Sequence, residues 1–262
     1  MKRVFIREAQ DEKLFCVIEK QKIGVAGMSS GAGVTLAATS LAKILSCIEE
    51  RKVTLLEVCD CFNEKRTLIY DSIGFDKRFK AREFVRFYSE IKHGGSIRGK
   101  SNLDERINWG LITPEDIRDE LEATPIELIR LINNISGDLI ICDISGCRNT
   151  VDYLLDMDLV IFVIDPMPSF MLAGYPFMRE VKRLEYNGKK VIWLINKFNS
   201  GINKRELQNF LKLKEYFKIP LITGDSFYSA EYNCKIPYEI AAISCVVKDV
   251  LEAIIRKEPE LR

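Results

Sequence analysis

Short, nearly continuous apolar runs alternate along the chain with stretches whose apolar positions fall three and four residues apart. Residues 22–26 (KIGVA), 51–58 (RKVTLLEV), 138–144 (DLIICDI), 158–165 (DLVIFVID) and 189–196 (KKVIWLIN) are of the first kind. Runs of that length predict strands, and most are apolar enough for burial on both faces. Residues 218–224 (KIPLITG) predict a shorter strand. The second kind predicts helices over 35–48, where Ala37, Leu41, Ile44, Leu45 and Ile48 form a stripe, and over 204–213 and 240–256. A short helix is expected over 151–157 and a long one over 169–186, bent at Pro176. Thr113-Pro114 and Thr124-Pro125 each set a hydroxyl cap before a proline suited to the first helical position. Two helices should start there, the second ending near Asn134.

Other stretches are less regular. Residues 3–7 and 14–19 are apolar runs separated by a polar turn, compatible with a hairpin within 1–20. Residues 59–80 read either as a strand and turn or as a surface excursion. Residues 80–92 predict a helix with Phe84, Phe87 and Tyr88 on one side, and 94–100 (GGSIRGK) a loop.

Strands alternating with helices imply an α/β fold, a mostly parallel sheet with helices on both faces. No Pro-, Gly- or Ser-rich linker divides residues 1–262, and no repeat appears, so a single domain is expected. At 47% apolar and 29% charged, the composition is that of a globular chain. Lys and Arg number 39 against 38 for Asp and Glu, a net charge of +1. That gives no strong nucleic-acid signal and no broad attraction to anionic lipid. A local basic patch remains open over 77–106, where Lys77, Arg78, Lys80, Arg82, Arg86, Lys92, Arg98, Lys100 and Arg106 collect, beside the alternative of a solvated surface. No run of eighteen apolar residues exists. With no leader-like segment among the first residues, a cytoplasmic protein with reduced thiols is expected. The terminal stripe of Val246, Val247, Val250, Leu251, Ile254 and Ile255 is expected to pack on the core, with peripheral membrane contact left open.

The chemistry concentrates at the turn GMSSGAGVT, set between a predicted strand and a helix. Loop N–H groups and a helix N-terminus there would both face an anion. A tight strand-to-helix turn also needs glycine for its own sake.

The order of elements and this turn resemble the MinD/ParA branch of P-loop ATPases, and especially the divergent TadZ/CpaE-like proteins of pilus assembly and localisation. The resemblance covers the chain from Lys22 onward. The family loop reads K-G-G-x-G-K-T-T, where this chain has Ser29, Ser30, Gly31, Ala32, Gly33, Val34, Thr35 and Leu36. Ser29 replaces the signature lysine and Val34 the Walker lysine, so the motif is degenerate. Thr35 keeps the hydroxyl that the resemblance assigns to Mg²⁺.

By the same resemblance, Glu57 and Asp60 follow the second strand where family carboxylates orient water. Asp143 ends a Walker B strand and would hold the Mg²⁺ water shell. Glu57, Asp60 and Asp143 are thus the catalytic candidates if the chain is active. Residues 29–35 and Asn196, at the adenine-facing strand end, are the nucleotide candidates. The family's D-x-P-x-G after the Walker B strand is altered, since proline is absent and Gly146 comes one residue early.

Valine supplies neither charge nor donor to the β- and γ-phosphates, and electrostatic stabilisation is usually the largest catalytic contribution. Three readings follow: a catalytically impaired ATPase-like protein that binds ATP or ADP with Mg²⁺ and localises or assembles a complex; a slow Mg²⁺-dependent ATPase with a substitute cation, for instance from 77–106; and an interaction protein with no cofactor. A homodimer or a partner protein is implied by the resemblance. Eight cysteines include Cys59, Cys61, Cys142 and Cys147 at two strand ends, where buried thiols are the default and a thiolate metal site the alternative. His93 is the single histidine.

Overall fold

The computed structural model describes residues 20–48, 51–60, 67–79, 83–147 and 150–258. The expected hairpin within 1–20 lies outside the described residues. In chain order the strands are β1 (Gln21–Gly27), β2 (Val53–Cys59), β3 (Leu103–Asp104), β4 (Ile107–Gly110), β5 (Leu139–Gly146), β6 (Leu159–Ile164), β7 (Lys190–Phe198) and β8 (Phe217–Pro220). They form one sheet in the order β3-β4-β2-β5-β1-β6-β7-β8. Every neighbouring pair is parallel except β3 with β4, an antiparallel pair at one edge. The helices are α1 (Val34–Ser46), the short turns α2 (Ile69–Ser72) and α3 (Phe75–Arg78), α4 (Phe87–Lys92), α5 (Pro114–Arg118), α6 (Pro125–Asn134), α7 (Thr150–Leu155), α8 (Pro168–Tyr186), α9 (Lys204–Leu211), α10 (Gly224–Tyr232) and α11 (Ala241–Lys257).

Side-chain alternation along each strand divides the core into two layers. Ile23, Val25, Ile161, Val163 and Leu194 face α1 and α11. Ala26, Phe162, Ile164, Trp193 and Ile195 face α4, α6, α7, α8 and α9 on the other side. Strand β6 is buried at all six positions, as a central parallel strand covered on both faces requires. The terminal stripe packs inward: Val247, Leu251, Ile254 and Ile255 of α11 are buried. No helix among the described residues is long and apolar enough to cross a membrane.

Helices α5 and α6 begin with capping boxes, Thr113 with Asp116 and Thr124 with Glu127, each with proline in the first turn. These ends are set by local sequence, because hydroxyl, proline and carboxylate lie within one turn.

Elsewhere the chain departs from its sequence pattern. Residues 69–78 form neither strand nor surface excursion but the two turns α2 and α3. Phe75 and Phe79 stack there with Tyr70 and Phe84, and Phe79 also meets Trp109. The helix expected over 80–92 starts only at Phe87, and residues 83–86 have no regular structure. Strands β3 and β4 escape the pattern because β4 buries a polar residue: the Asn108 amide donates to Thr54 Oγ1 and Ser136 O, both at 3.1 Å. Helix α10 escapes it because only Ala230 is buried among its residues.

Strand β1 sits where the direction of winding reverses, between β5 and β6. Such a switch point opens a crevice at the carboxyl ends of the strands. The ends of β5 and β6 place Asp143 and Asp165 on either side of the turn that leaves β1.

Candidate functional site

The turn after β1 wraps a cavity of about 470 Å³ lined by Gly27, Met28, Ser29, Ser30, Gly31, Gly33, Val34 and Thr35, and across from them by Thr67, Ser145 and Thr150. Two glycines shape the loop. Gly31 has φ +74° and Gly33 φ +102°, conformations that L side chains rarely adopt. Gly33 is the residue before α1, which has no side-chain cap and no acidic residue in its first turn. An anion rather than a carboxylate of the chain can therefore complete that helix end. Ala32 is buried beneath the loop and donates its N–H to Ser29 O. Ser29 Oγ lies buried without a hydrogen-bond partner, an orphan polar atom in the wall of the cavity. Helix α8 presses on the loop's start: a Cβ at Gly174 would fall 2.1 Å from Met28 O.

Val34 is 5% exposed and packs back onto the end of β1, where a Cβ at Gly27 would meet its Cγ2 at 2.6 Å. The valine therefore forms one wall of the cavity without plugging it. Thr35 Oγ1 donates to Asp143 Oδ2 at 2.6 Å. Asp143 is fully buried, and its Oδ1 accepts Ser145 N. With its one proton committed to Asp143, the Thr35 hydroxyl keeps its lone pairs for a cation in the cavity. A hydroxyl backed by a carboxylate is a hard-oxygen set that suits Mg²⁺, which binds few protein oxygens and keeps its waters.

The remaining sequence candidates do not line the cavity. Glu57 is fully buried, and its two oxygens each accept a backbone N–H, from Ile69 and from Ile112, at 3.1 Å. Its side chain lies on the same sheet face as that of Asp143, its register neighbour, and ties β2 to α2 and to the segment after β4. The expected water-orienting role thus meets a side chain already spent on the backbone. Tyr88 reinforces this corner, donating to Glu57 O and accepting Cys59 N. Burial pushes the Tyr88 phenol well above its ordinary pKa, so it remains a neutral strut. Asp60 accepts from the Tyr153 hydroxyl and does not line the cavity. Burial first, then the Asp60 charge, holds the Tyr153 phenol protonated.

Asn196, expected to face the base, is 4% exposed and turned into the loop. Its Nδ2 donates to Ala32 O at 2.8 Å and its Oδ1 accepts Lys197 N. The amide nitrogen thus holds the loop against β7, while the oxygen is taken by the next residue of the strand. Lys197 adds a second strut that the sequence did not single out: its Nζ donates to Gly31 O at 2.8 Å and to Asp165 Oδ2 at 2.6 Å. Asp165 also accepts Met167 N. The signal for this pair was present as a lysine after one strand and an aspartate ending its neighbour, but its reach across to the loop was not.

Four of the cations of 77–106 are engaged away from the cavity. Arg78 pairs with Asp104 and Glu239, Arg86 with Asp116 and Asp119, Lys92 with Glu127 and Lys100 with Glu90. None of these four touches the loop, whereas the Lys197 ammonium does. Lys80 and Arg82 lie outside the described residues. Cys142 is buried, and burial pushes its thiol far up, so it stays a small neutral hydrophobe. Cys147 Sγ sits 3.4 Å from Val58 O. Among the described residues no three His, Cys, Asp or Glu side chains gather as metal ligands; Cys61 lies outside them.

The loop geometry gives a direct expectation. A Cβ at Gly33 would fall 2.1 Å from Asn196 Nδ2 at a backbone conformation hostile to alanine. Gly33→Ala should cost about 1–3 kcal/mol in stability. It should also break the Asn196–Ala32 bond, seen as a lowered melting temperature with altered amide resonances across 29–36. An unchanged melting temperature would contradict the packing described.

No family model matches the chain, and no curated protein matches it. Solved structures do. MinD, the septum site-determining protein of Pyrococcus horikoshii OT3, in complex with Mg-ADP, superposes with a TM-score of 0.69 at 13% identity, over 93% of this chain and 99% of that one. A ParA family ATPase from Chlorobium tepidum TLS gives 0.63 at 14% identity over 90% and 97%. A plasmid partition protein from Borrelia burgdorferi gives 0.60 at 18% identity over 91% and 99%. Identities this low establish a shared fold: the chain has a MinD/ParA-like P-loop NTPase fold, with a mostly parallel sheet flanked by helices.

Proposed function

From this fold we propose that the chain binds ATP or ADP with Mg²⁺ at residues 29–35, hydrolyses it inefficiently, and serves to localise or assemble a protein complex, as a divergent TadZ/CpaE-like protein. One observation carries the reading: the Thr35–Asp143 hydrogen bond stands at the floor of an open loop cavity whose lysine position holds valine. The parts that bind phosphate through backbone and Mg²⁺ are kept, and the part that neutralises the transferred phosphoryl group is replaced. In the bound state Mg²⁺ would supply charge neutralisation. Thr35 would offer its hydroxyl, Asp143 would fix that hydroxyl and the surrounding water, and the N-terminus of α1 would face the phosphates. Ser29 Oγ would gain a partner. The nucleotide bound to the Pyrococcus protein of the same fold supports the ligand class.

Action through a homodimer or partner protein is supported by the surface beside the loop. Met167, Phe170, Leu172 and Tyr175, at the start of α8, are 55%, 42%, 67% and 40% exposed. A cluster of exposed large apolar residues beside a ligand site suits a contact made or broken with the ligand.

A slow ATPase is the second reading, favoured by the Lys197 ammonium at the Gly31 carbonyl. Against it stands Asp165, only 6% exposed, which would lose its partner if the lysine swung to a phosphate.

Calorimetric titration of the full chain with Mg-ATP and Mg-ADP tests the proposal. One saturable site per chain is expected, weakened at least about tenfold in Thr35→Val, which loses the metal-facing hydroxyl. No heat of binding at millimolar nucleotide would overturn it. Turnover that disappears in Lys197→Met would favour the second reading.

A further inference from the structure

At the opposite end of the strands from residues 29–35 lies a second cavity, of about 390 Å³, between the loop that follows α4 and the end of α6. Its floor is apolar, from Ile91 and Ile97, both buried. Its rim carries Ser96, Arg98 and Arg130. Placement follows from the chain. Helix α6 ends at Asn134, a short loop before β5 begins at Leu139, and Lys20, one residue before β1, donates its Nζ to Asn133 O and Ile135 O. The cavity therefore sits where strands enter the sheet, whereas the loop after β1 sits where they leave it.

The distribution of charge separates these two arginines from their neighbours. Arg86, Lys92 and Lys100 nearby in the chain each hold a carboxylate. Arg98 and Arg130 hold none among the described residues. The carboxylates nearby are matched to other groups: Glu90, beside Gly95, pairs with Lys100, and Glu127 pairs with Lys92. Asp138 accepts Lys52 N and acts on Lys20. Burial first, then the charge of Arg98, pulls the Lys20 pKa down, against the opposing pull of Asp138.

Arg98 is also held in place. Its Nε donates to Asn134 Oδ1 at 3.0 Å, while Asn134 Nδ2 donates to Arg130 O at 2.8 Å. The Asn134 amide thus braces Arg98 against the helix that bears Arg130. The terminal nitrogens of Arg98 and the whole Arg130 guanidinium remain for a ligand. At Gly94 no atom lies within 4 Å of a Cβ position, while at Gly95 the Glu90 carboxylate lies 2.2 Å from one.

We propose that this cavity binds a phosphate group, held between the Arg98 and Arg130 guanidiniums with Ser96 as an added donor. Two planar guanidinium forks present paired N–H groups that match a tetrahedral oxyanion, and such charge-assisted hydrogen bonds are the strong ones. The volume suits a phosphate with a small attached group and excludes a large ligand from full burial. Two sources carry this chemistry, a soluble phosphate compound and a lipid headgroup, and the test separates them.

The full chain, labelled with ¹⁵N, is titrated with inorganic phosphate at constant ionic strength while backbone and arginine Nε resonances are followed. Saturable shifts are expected at residues 94–99 and at the Nε of Arg98 and Arg130. Any shifts at 29–36 report the first cavity separately. In the double variant Arg98→Gln, Arg130→Gln the shifts at 94–99 should weaken at least about tenfold, because both charge-assisted contacts are lost. The double lysine variant should fall between, since it keeps charge without the planar fork. Both side chains are exposed, so the melting temperature should hold. Co-sedimentation with phosphatidylcholine vesicles, with and without phosphatidic acid, is run in parallel. Phosphatidic-acid-dependent sedimentation that vanishes in the glutamine variant assigns the lipid source. Absence of sedimentation alongside saturable shifts assigns the soluble one. Shifts at 94–99 that are absent, unsaturated or unchanged in the glutamine variant overturn the proposal.

Discussion

Glu57→Ala is expected to lower the folding free energy by about 3–5 kcal/mol, because two buried N–H groups lose their acceptor at about 1–3 kcal/mol each and a cavity opens beside them. The groups are the amides of Ile69 and Ile112, both 3.1 Å from the carboxylate oxygens of a side chain that solvent does not reach. Urea unfolding measures the loss as a shift of the midpoint at constant slope. Glu57→Gln should lose less: it keeps one acceptor but turns an NH₂ toward the other donor. The experiment also separates two roles for one carboxylate. A water-orienting residue would change turnover and leave the unfolding midpoint nearly in place. A clamp joining β2 to α2 and to the segment after β4 does the reverse. A loss under about 1 kcal/mol for the alanine variant would defeat the clamp.

Val34→Lys is expected to tighten Mg-ATP binding about 10- to 100-fold, since one hydrogen bond to a charged group is worth about 1.5–3 kcal/mol. Hydrolysis should become measurable above the parent. The valine lines the cavity while resting on Gly27, so a lysine stem can follow the same wall and place its ammonium in the open space rather than in the core. The loss of the packed isopropyl group should cost about 1 kcal/mol of stability. Calorimetry and a phosphate-release assay on the parent and the variant check both outcomes. Tighter binding without turnover would assign the missing catalytic power to other positions, with Glu57 and Asp60 the first to consider because neither lines the cavity. Unchanged affinity would mean that the cavity does not receive the β- and γ-phosphates.

The expectations for Glu57 and Val34 mark where reading a sequence is strong and where it fails. Loop 29–35, its glycines and the absent lysine were legible because a strand, a tight turn and a helix are consecutive, and each imposes its own local pattern. The Thr113 and Thr124 helix starts were legible for the same reason, with cap, proline and carboxylate inside one turn. The buried strands were legible because covering both faces leaves no room for polar alternation. Strands β3 and β4 were not, because the fold buries Asn108 and satisfies it through Thr54 and Ser136, residues far off in the chain.

The sequence by itself determined most of the elements, that they wind into a largely parallel sheet, and that a glycine-rich turn follows β1. Only the tertiary structure decided what the polar groups at the strand ends do. Asp143 meets Thr35, Lys197 reaches Gly31 and Asp165, Asn196 turns inward, and Glu57 is spent on backbone amides. The physical reason is that hydrophobic period is a property of neighbouring residues. The partner of a buried polar group is set by strand order and register, which bring together residues as far apart as 31 and 197.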